Sequence, residues 1–155
     1  MLFRSILLCK RLGLKPYIEI KAEAVPTDND AKKLTDIVER CGMRNNVTWI
    51  SYGLSALMRI KERYPYGRIG FIADVIDETA IANVTSLKAD TNDVFLSAHY
   101  TSVTAENVSM CVEANVPLEV WTVNEYATLL TLDPYVSGYT SDSLVANVTF
   151  VDSVL

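Results

Sequence analysis

Pro16-Tyr17-Ile18-Glu19-Ile20-Lys21 has the residue pattern of a short β-strand that begins after a proline. Side chains alternate between the two faces of a strand, so Ile18 and Ile20 share one face. Glu19 and Lys21 then point the same way from the other face. Charged side chains in an apolar strand are costly unless they are paired or bound to something. Taken alone, the segment favours a Glu–Lys ion pair; the alternative is a carboxylate for a divalent cation beside an ammonium for a phosphate oxygen.

Length and composition are those of an ordinary globular protein. The chain has 155 residues, 50% of them hydrophobic and 21% charged, so we expect a single domain over residues 1–155. The net charge of −5 argues against a nucleic-acid partner, or an anionic membrane, that needs a basic surface. It leaves room for a local basic pocket that binds a phosphate.

The cysteines and the N-terminal segment argue against disulfides, a zinc site and a signal peptide. Cys9, Cys41 and Cys111 are odd in number and form no CxxC pair, which predicts reduced thiols rather than disulfides or a zinc site. Met1–Cys9 is predicted to be an amphipathic helix, because its apolar run is too short for a signal peptide. No stretch is long enough to span a membrane. We expect a soluble protein, and residues upstream of Met1 would decide whether it is cytoplasmic or exported.

Strand and helix patterns alternate along the whole chain with short connections. Strands are predicted at residues 17–21, 46–52, 68–73, 93–97, 118–123 and 136–140. Helices are predicted at about 2–12, 28–41, 54–64, 78–87, 104–114 and 124–132. This alternation predicts an α/β fold with a parallel sheet and right-handed crossovers. Periodicity alone does not distinguish part of a TIM barrel from an open doubly wound sheet.

Several segments resemble motifs of the glycerophosphodiester phosphodiesterase family. Pro16–Lys21 resembles the hydrophobic-Glu-hydrophobic-Lys strand of that family. Val120-Trp121-Thr122-Val123-Asn124 resembles its Trp-Thr-Val-Asn strand, and Ser137–Asp142 resembles its closing Gly-hydrophobic-Thr-Asp segment. Between them, Trp49–Tyr52 and then His99-Tyr100 with Thr104–Asn107 match the family in the same order.

The resemblance covers nearly all of the chain and carries expectations about fold and activity. It implies a TIM (β/α)8 barrel that is incomplete here, with the chain supplying about strands 3–8. It also implies a phosphoric diester hydrolase that converts a glycerophosphodiester and water to glycerol 3-phosphate and an alcohol. The small-molecule substrate is bound with the help of Ca²⁺ or Mg²⁺ in the complete family site.

The sequence also departs from the family. The family's His-Arg-Gly strand, its Glu-Asn-Thr segment, its metal-binding Glu and Asp and its second catalytic histidine have no counterpart in this sequence. The resemblance therefore implies a C-terminal segment of a phosphodiesterase that is inactive alone and contains no catalytic residue. Such a segment is expected to self-associate, to exchange strands, or to be completed by a missing N-terminal segment. Its first helix or the tail Val148–Val151 could instead cover an open strand edge.

The resemblance assigns roles to three side chains, and the position of His99 at the end of a predicted strand adds a fourth candidate. Glu19 matches the third metal-ligand carboxylate, and Lys21 matches the residue that contacts the phosphate. Trp121 matches the aromatic that lines the substrate pocket, and His99 stands where it would also line the pocket. Each has a structural alternative: Glu19 and Lys21 neutralise each other, Trp121 is a core tryptophan, and His99 is a hydrogen-bonded structural residue.

Other expectations concern the neighbouring polar residues and the alternative functions. Asn124 is expected to cap the helix after it, and Asp142 the last turn. Glu19, Lys21 and Trp121 are expected to point into one shared basin. The chain could instead be a non-catalytic module that binds polyol phosphates or a partner on the same scaffold. A further alternative is an unrelated open α/β domain in which Glu19 and Lys21 are only an ion pair.

Overall fold

Strands and helices alternate in a computed structural model, which describes residues 2–21, 27–88 and 93–143. The helices there are α1 (Leu2–Arg11), α2 (Asp28–Arg40), α3 (Leu54–Arg63), α4 (Glu78–Leu87), α5 (Ala105–Glu113) and α6 (Tyr126–Leu132). The strands are β1 (Tyr17–Glu19), β2 (Thr48–Ser51), β3 (Arg68–Ala73), β4 (Val94–His99), β5 (Leu118–Trp121) and β6 (Gly138–Tyr139). A 3₁₀ helix, Tyr100–Ser102, follows β4. The predicted elements are therefore found in the predicted order, although the tail Val148–Val151 lies outside the described residues.

The ends of the helices are set by capping residues that can be read in the sequence. Thr27 caps α2: its hydroxyl accepts from the Asp30 N–H, and the Asp30 carboxylate accepts from the Thr27 N–H at 3.0 Å. Thr104 caps α5 by accepting from the Asn107 N–H at 3.2 Å. Gly13 follows α1 with a φ of +68°, a left-handed conformation that only glycine adopts without strain.

The strands lie in the sheet in the order in which they occur along the chain, from β1 to β6. The pairs β1–β2, β2–β3, β4–β5 and β5–β6 are parallel. A doubly wound sheet reverses its strand order at a switch point, whereas the βα units of a TIM barrel keep chain order. The structure is therefore an incomplete TIM barrel, as the resemblance implied, and not an open doubly wound sheet.

The chain divides into two compact units, and the first contains Met1–Ile72 with Asn83–Val94. Its core forms around Trp49, which is fully buried and stacks on Tyr64 with ring centroids 6.2 Å apart. The Tyr64 hydroxyl donates to the Thr35 carbonyl at 2.9 Å, and burial raises the pKa of Tyr64 to about 12. The ring therefore stays neutral and hydrogen-bonded. The prediction of a single domain over residues 1–155 stays a prediction.

The second unit contains Ala73–Ala82 with Phe95–Leu155. Phe95, Leu96 and Val120 are fully buried or nearly so. The pairing of β5 with β6 continues beyond the short strand, because the Thr140 N–H donates to the Val120 carbonyl at 2.8 Å. The Val123 N–H in turn donates to the Thr140 carbonyl at 2.9 Å. These bonds fix the backbone on both sides of Trp121.

Candidate functional site

The charged residues of the first segment lie where β1 ends. Glu19 is the last residue of β1, and Ile18 beside it is buried, as the alternation predicted. The Lys21 ammonium lies 2.7 Å from the Glu19 carboxylate, and the two side chains are 74% and 31% exposed. The two charges therefore neutralise each other, which is the structural alternative given for this pair.

A cavity of about 450 Å³ opens beside this pair, within the first unit. Its walls are largely apolar and include Ile18, Ile20 and Leu34. A second charged pair, Lys33 and Asp30, lines it as well, with nitrogen and oxygen 3.8 Å apart. Hydrogen bonds from Thr27 lower the pKa of Asp30, so this carboxylate stays ionised. The cavity thus offers an apolar wall and both signs of charge to a small polar ligand.

Ser51 fixes the backbone beneath these charged side chains, and the sequence reasoning gave it no role. Its hydroxyl is fully buried and donates to the Ile20 carbonyl at 2.6 Å. The same oxygen accepts from the Gly53 N–H at 2.9 Å. Ser51 therefore holds the residue between Glu19 and Lys21 against the end of β2. The available signal in the sequence was a serine at the end of a strand, separated by two residues from the next helix.

His99 and Trp121 form an aromatic pair in the second unit. They end β4 and β5 and lie opposite each other in the strand register. Their ring centroids are 4.9 Å apart in an edge-to-face arrangement, and the Trp121 indole N–H donates to the Ser97 carbonyl at 3.2 Å. His99 Nδ1 lies 2.8 Å from the Thr101 hydroxyl. His99 therefore makes the hydrogen-bonded contact that its structural alternative describes, whereas Trp121 is hydrogen-bonded but only partly buried and so is not a core tryptophan.

The prediction that Asn124 caps the next helix is wrong. The N-cap of α6 is Glu125, and it makes no side-chain capping bond. The Asn124 amide instead donates to the Asp142 carboxylate at 3.0 Å and accepts from the Asp142 N–H at 2.9 Å. The Ser141 hydroxyl also donates to Asn124 at 3.0 Å. Asn124 therefore ties the segment after β5 to the segment after β6. The last turn that Asp142 is expected to cap falls outside the described residues.

Glu119 is a buried carboxylate that the sequence reasoning also gave no role. It lies two residues before Trp121 on the same face of β5, and only 7% of it is exposed. Gly138 in β6 is opposite it in the register. A Cβ at Gly138 would lie 3.2 Å from the Glu119 carboxyl group, so glycine leaves the room that this side chain fills. The signal in the sequence was a glutamate between the apolar residues of a central strand.

The described residues do not fit a Ca²⁺ or Mg²⁺ ion by themselves. Hard cations of this kind need several oxygen ligands, usually including more than one carboxylate. In the part of the chain that the structure describes, no three His, Cys, Asp or Glu side chains form a group that could hold a metal ion. Glu19 is the metal residue implied by the resemblance, and its carboxylate is occupied by Lys21. The metal stays a prediction about a more complete site.

The structure thus brings the four site residues together in two pairs, each within one unit. Glu19 lies with Lys21, and His99 lies with Trp121. The basin that Glu19, Lys21 and Trp121 are expected to share stays a prediction. Among the described helices none is long and apolar enough to cross a membrane.

Comparison with known proteins connects this geometry to one group of solved structures. No protein-family model and no curated protein matches the sequence. A glycerophosphodiester phosphodiesterase from Parabacteroides distasonis is similar over 99% of this chain and 64% of its own, with 18% identity and a TM-score of 0.78. An Oleispira antarctica phosphodiesterase, solved with the product sn-glycerol 3-phosphate, is similar over 97% of this chain and 60% of its own, with 16% identity and a TM-score of 0.80. A glycerophosphodiester phosphodiesterase from Agrobacterium tumefaciens matches with 15% identity and a TM-score of 0.66.

The strand order gives the fold class, and the comparisons give the group of proteins in which this fold is seen. The chain is an α/β protein built from the βα units of a TIM barrel. More narrowly, its fold is the one seen in glycerophosphodiester phosphodiesterases, so the resemblance read from the sequence is confirmed at the level of the fold. The chain spans between 57% and 64% of the length of the first four matching structures.

Proposed function

We propose that this chain is the C-terminal part of a metal-assisted glycerophosphodiester phosphodiesterase. One observation carries the proposal: three of the four candidate site residues are the last residues of their strands. Glu19 ends β1, His99 ends β4 and Trp121 ends β5, and Lys21 follows two residues after Glu19. TIM-barrel enzymes hold their active sites at these carboxyl ends.

Each side chain has a distinct task in the proposed site. Lys21 contacts a phosphate oxygen as a compact positive charge. Trp121 covers the glycerol or alcohol group with its ring, and His99 supports that ring from the side. Glu19 serves as one ligand in a larger cation site whose other carboxylates lie outside this chain. The general acid and base that cleavage requires also come from outside it, so residues 1–155 alone bind ligand without turnover.

Calorimetry with sn-glycerol 3-phosphate tests the part of the site that this chain contains. We expect binding by residues 1–155, loss of at least tenfold in affinity for Lys21→Ala, and a smaller loss for Trp121→Ala. Lys32→Ala is the matched control, because Lys32 pairs with Asp36 on α2 and does not line the cavity. No heat at millimolar ligand, or equal binding by the Lys21 and Lys32 variants, contradicts the proposal.

Hydrolysis of glycerophosphocholine with Ca²⁺ tests the catalytic part of the proposal, for which the acid and base come from outside this chain. We expect no choline release by residues 1–155 and measurable release when the chain is extended by the N-terminal βα units of a complete phosphodiesterase of this fold. Turnover by residues 1–155 alone would contradict the placement of the acid and base outside the chain. No rescue by the extension, together with retained ligand binding, favours the second candidate, a non-catalytic module that binds polyol phosphates. The lack of counterparts in this sequence for the family's two catalytic histidines is the observation that supports that candidate.

A further inference from the structure

The segments that lead into the first three strands concentrate positive charge at one end of the first unit. Residues 11–16, 41–47 and 63–68 contain five basic residues and no acidic one: Arg11, Lys15, Arg44, Arg63 and Arg68. The chain as a whole has 19 acidic and 14 basic residues. β1, β2 and β3 are parallel, so these segments lie at the same end of the sheet, which we call the basic end. These connecting segments are therefore richer in basic residues than the chain as a whole.

Large apolar side chains are exposed between these charges. Leu12 and Leu14 are 62% and 55% exposed, on the segment that also contains Arg11 and Lys15. Tyr66, two residues before Arg68, is 71% exposed. Alternation of exposed apolar side chains with basic ones is typical of surfaces that bind at the lipid–water interface.

A second cavity of about 450 Å³ lies at the basic end, and its lining includes Arg44, Tyr66 and Arg68 together with the acidic Asp93. Arg68 is held in place by Asp93 at 2.7 Å and by the Tyr17 hydroxyl, which accepts from it at 2.6 Å. Arg44 lies 4.8 Å from the centre of the Tyr64 ring. The two guanidinium groups are thus fixed at the cavity, where an anionic headgroup can reach them.

Some of the basic side chains at the basic end have an acidic ion-pair partner and others have none among the described residues. Arg68 pairs with Asp93, Arg44 with Glu39 at 3.2 Å, and Arg63 with Asp36 at 3.5 Å. Within residues 2–21, 27–88 and 93–143, neither Arg11 nor Lys15 has an ion-pair partner, and both are exposed. The uncompensated charge therefore lies on the segment that also exposes Leu12 and Leu14.

We propose that the basic end binds the surface of an anionic phospholipid membrane, with Leu12, Leu14 and Tyr66 entering the interface. Arg11 and Lys15 contact lipid phosphates, and the cavity at Arg44 and Arg68 takes one anionic headgroup. Charge acts on a membrane only within about a Debye length, so the local excess decides binding and the net charge does not. A nucleic acid would use the basic groups but leave the exposed leucines in water. This proposal does not depend on the proposed function, since Glu19 and Lys21 lie at the opposite end of β1.

Vesicle flotation of residues 1–155 tests the proposal. We expect binding to vesicles of phosphatidylcholine mixed with phosphatidylglycerol, no binding to phosphatidylcholine alone, and release as salt is raised. The double variant Arg11→Gln with Lys15→Gln is expected to lower the partition coefficient by about thirtyfold. The control, Arg4→Gln with Lys32→Gln, removes the same charge from exposed positions on α1 and α2 that line neither cavity, and should change the partition coefficient by less than about twofold. Circular dichroism checks that both double variants are folded.

Three outcomes would overturn the proposal. One is failure of residues 1–155 to bind mixed vesicles at low salt. A second is equal binding by the two double variants, which would mean that the basic end is not the contact. A third is self-association or oligonucleotide binding that the Arg11 and Lys15 variant abolishes while vesicle binding is absent. Leu12→Ser with Leu14→Ser gives an independent check, since loss of the apolar contact should weaken vesicle binding without changing the charge.

Discussion

The end of β1 and the paired ends of β4 and β5 hold their candidate residues in different ways. At the end of β1 two opposite charges meet at 2.7 Å, with the Lys21 side chain mostly exposed. At the ends of β4 and β5 two rings meet edge to face at 4.9 Å, and the indole N–H donates to a backbone carbonyl. The first arrangement is electrostatic and open to solvent, while the second is built by packing.

This difference predicts which region changes when a ligand binds. An exposed ion pair contributes about 0–1 kcal/mol, so a phosphate can replace Glu19 as the partner of Lys21 at little cost. A packed ring with a hydrogen-bonded indole is expensive to move. The end of β1 is therefore expected to adapt to a ligand, whereas the aromatic pair at the ends of β4 and β5 is expected to keep its geometry.

Substitution of Trp121 should have the largest effect on stability. Trp121→Ala removes a packed, partly buried ring and should lower the free energy of unfolding by about 2–3 kcal/mol. Trp121→Phe keeps a ring against His99 but loses the donor to Ser97, and should cost about 1 kcal/mol. Urea denaturation measures both. Equal losses for the two variants would mean that the ring contact with His99 contributes little.

Ser51→Ala comes next and tests how firmly the backbone at the end of β1 is held. The change leaves the Ile20 carbonyl and the Gly53 N–H without the buried hydroxyl, at a cost of about 2 kcal/mol. Ser55→Ala, at an exposed position in α3, is the control and should change stability by less than about 0.5 kcal/mol. If the two variants unfold at the same urea concentration, the hydrogen bonds of Ser51 do not hold the backbone beside the Glu19–Lys21 pair in place.

Much of the fold followed from local patterns, because each βα unit carries its own signals. Capping by Thr27 and Thr104, the left-handed Gly13 after α1 and the alternation around Ile18 all depend on residues near in sequence. The choice between a barrel and an open sheet was different. Strand order is a long-range property, so only the resemblance, and then the structure, decided it.

The candidate site was less predictable, for the same physical reason. Asn124 looked like a helix cap because capping is local, yet it bonds to Asp142, 18 residues away. Ser51 acts on Ile20, 31 residues away. Glu119 has its space because of Gly138 in the next strand. Each role depends on which strands are neighbours, and residue spacing alone does not contain that information.

Loss of the capping box beside the cavity should have a smaller effect on the free energy of unfolding, and this effect should depend on pH. Thr27→Ala should cost about 1 kcal/mol near neutral pH. The folded-state pKa of Asp30 lies below its ordinary value of 3.8, so the stabilising bond is fully present above that value and is lost as pH falls through the folded pKa. The difference between wild type and variant should therefore shrink in acid.

Thr104→Ala is the control for this pH dependence. Thr104 also caps a helix, but its partner in the third helical position is Asn107, which does not titrate. The variant should lose about as much stability, with no acid dependence of the difference. Urea denaturation between about pH 5 and pH 2 compares the two variants. Parallel pH profiles for both would contradict the role given to Asp30.

Glu19→Gln should have the smallest effect on stability and a clear effect on ligand. Loss of an exposed ion pair is expected to change the free energy of unfolding by less than about 0.5 kcal/mol. The same change releases the Lys21 ammonium from its competing carboxylate, so calorimetry should register severalfold tighter binding of sn-glycerol 3-phosphate. A stability loss above about 1 kcal/mol would mean that the ion pair is structural. Unchanged stability with weaker ligand binding would mean that Glu19 itself contacts the ligand. In that case the Glu19–Lys21 pair would not be the part that gives way when a ligand binds.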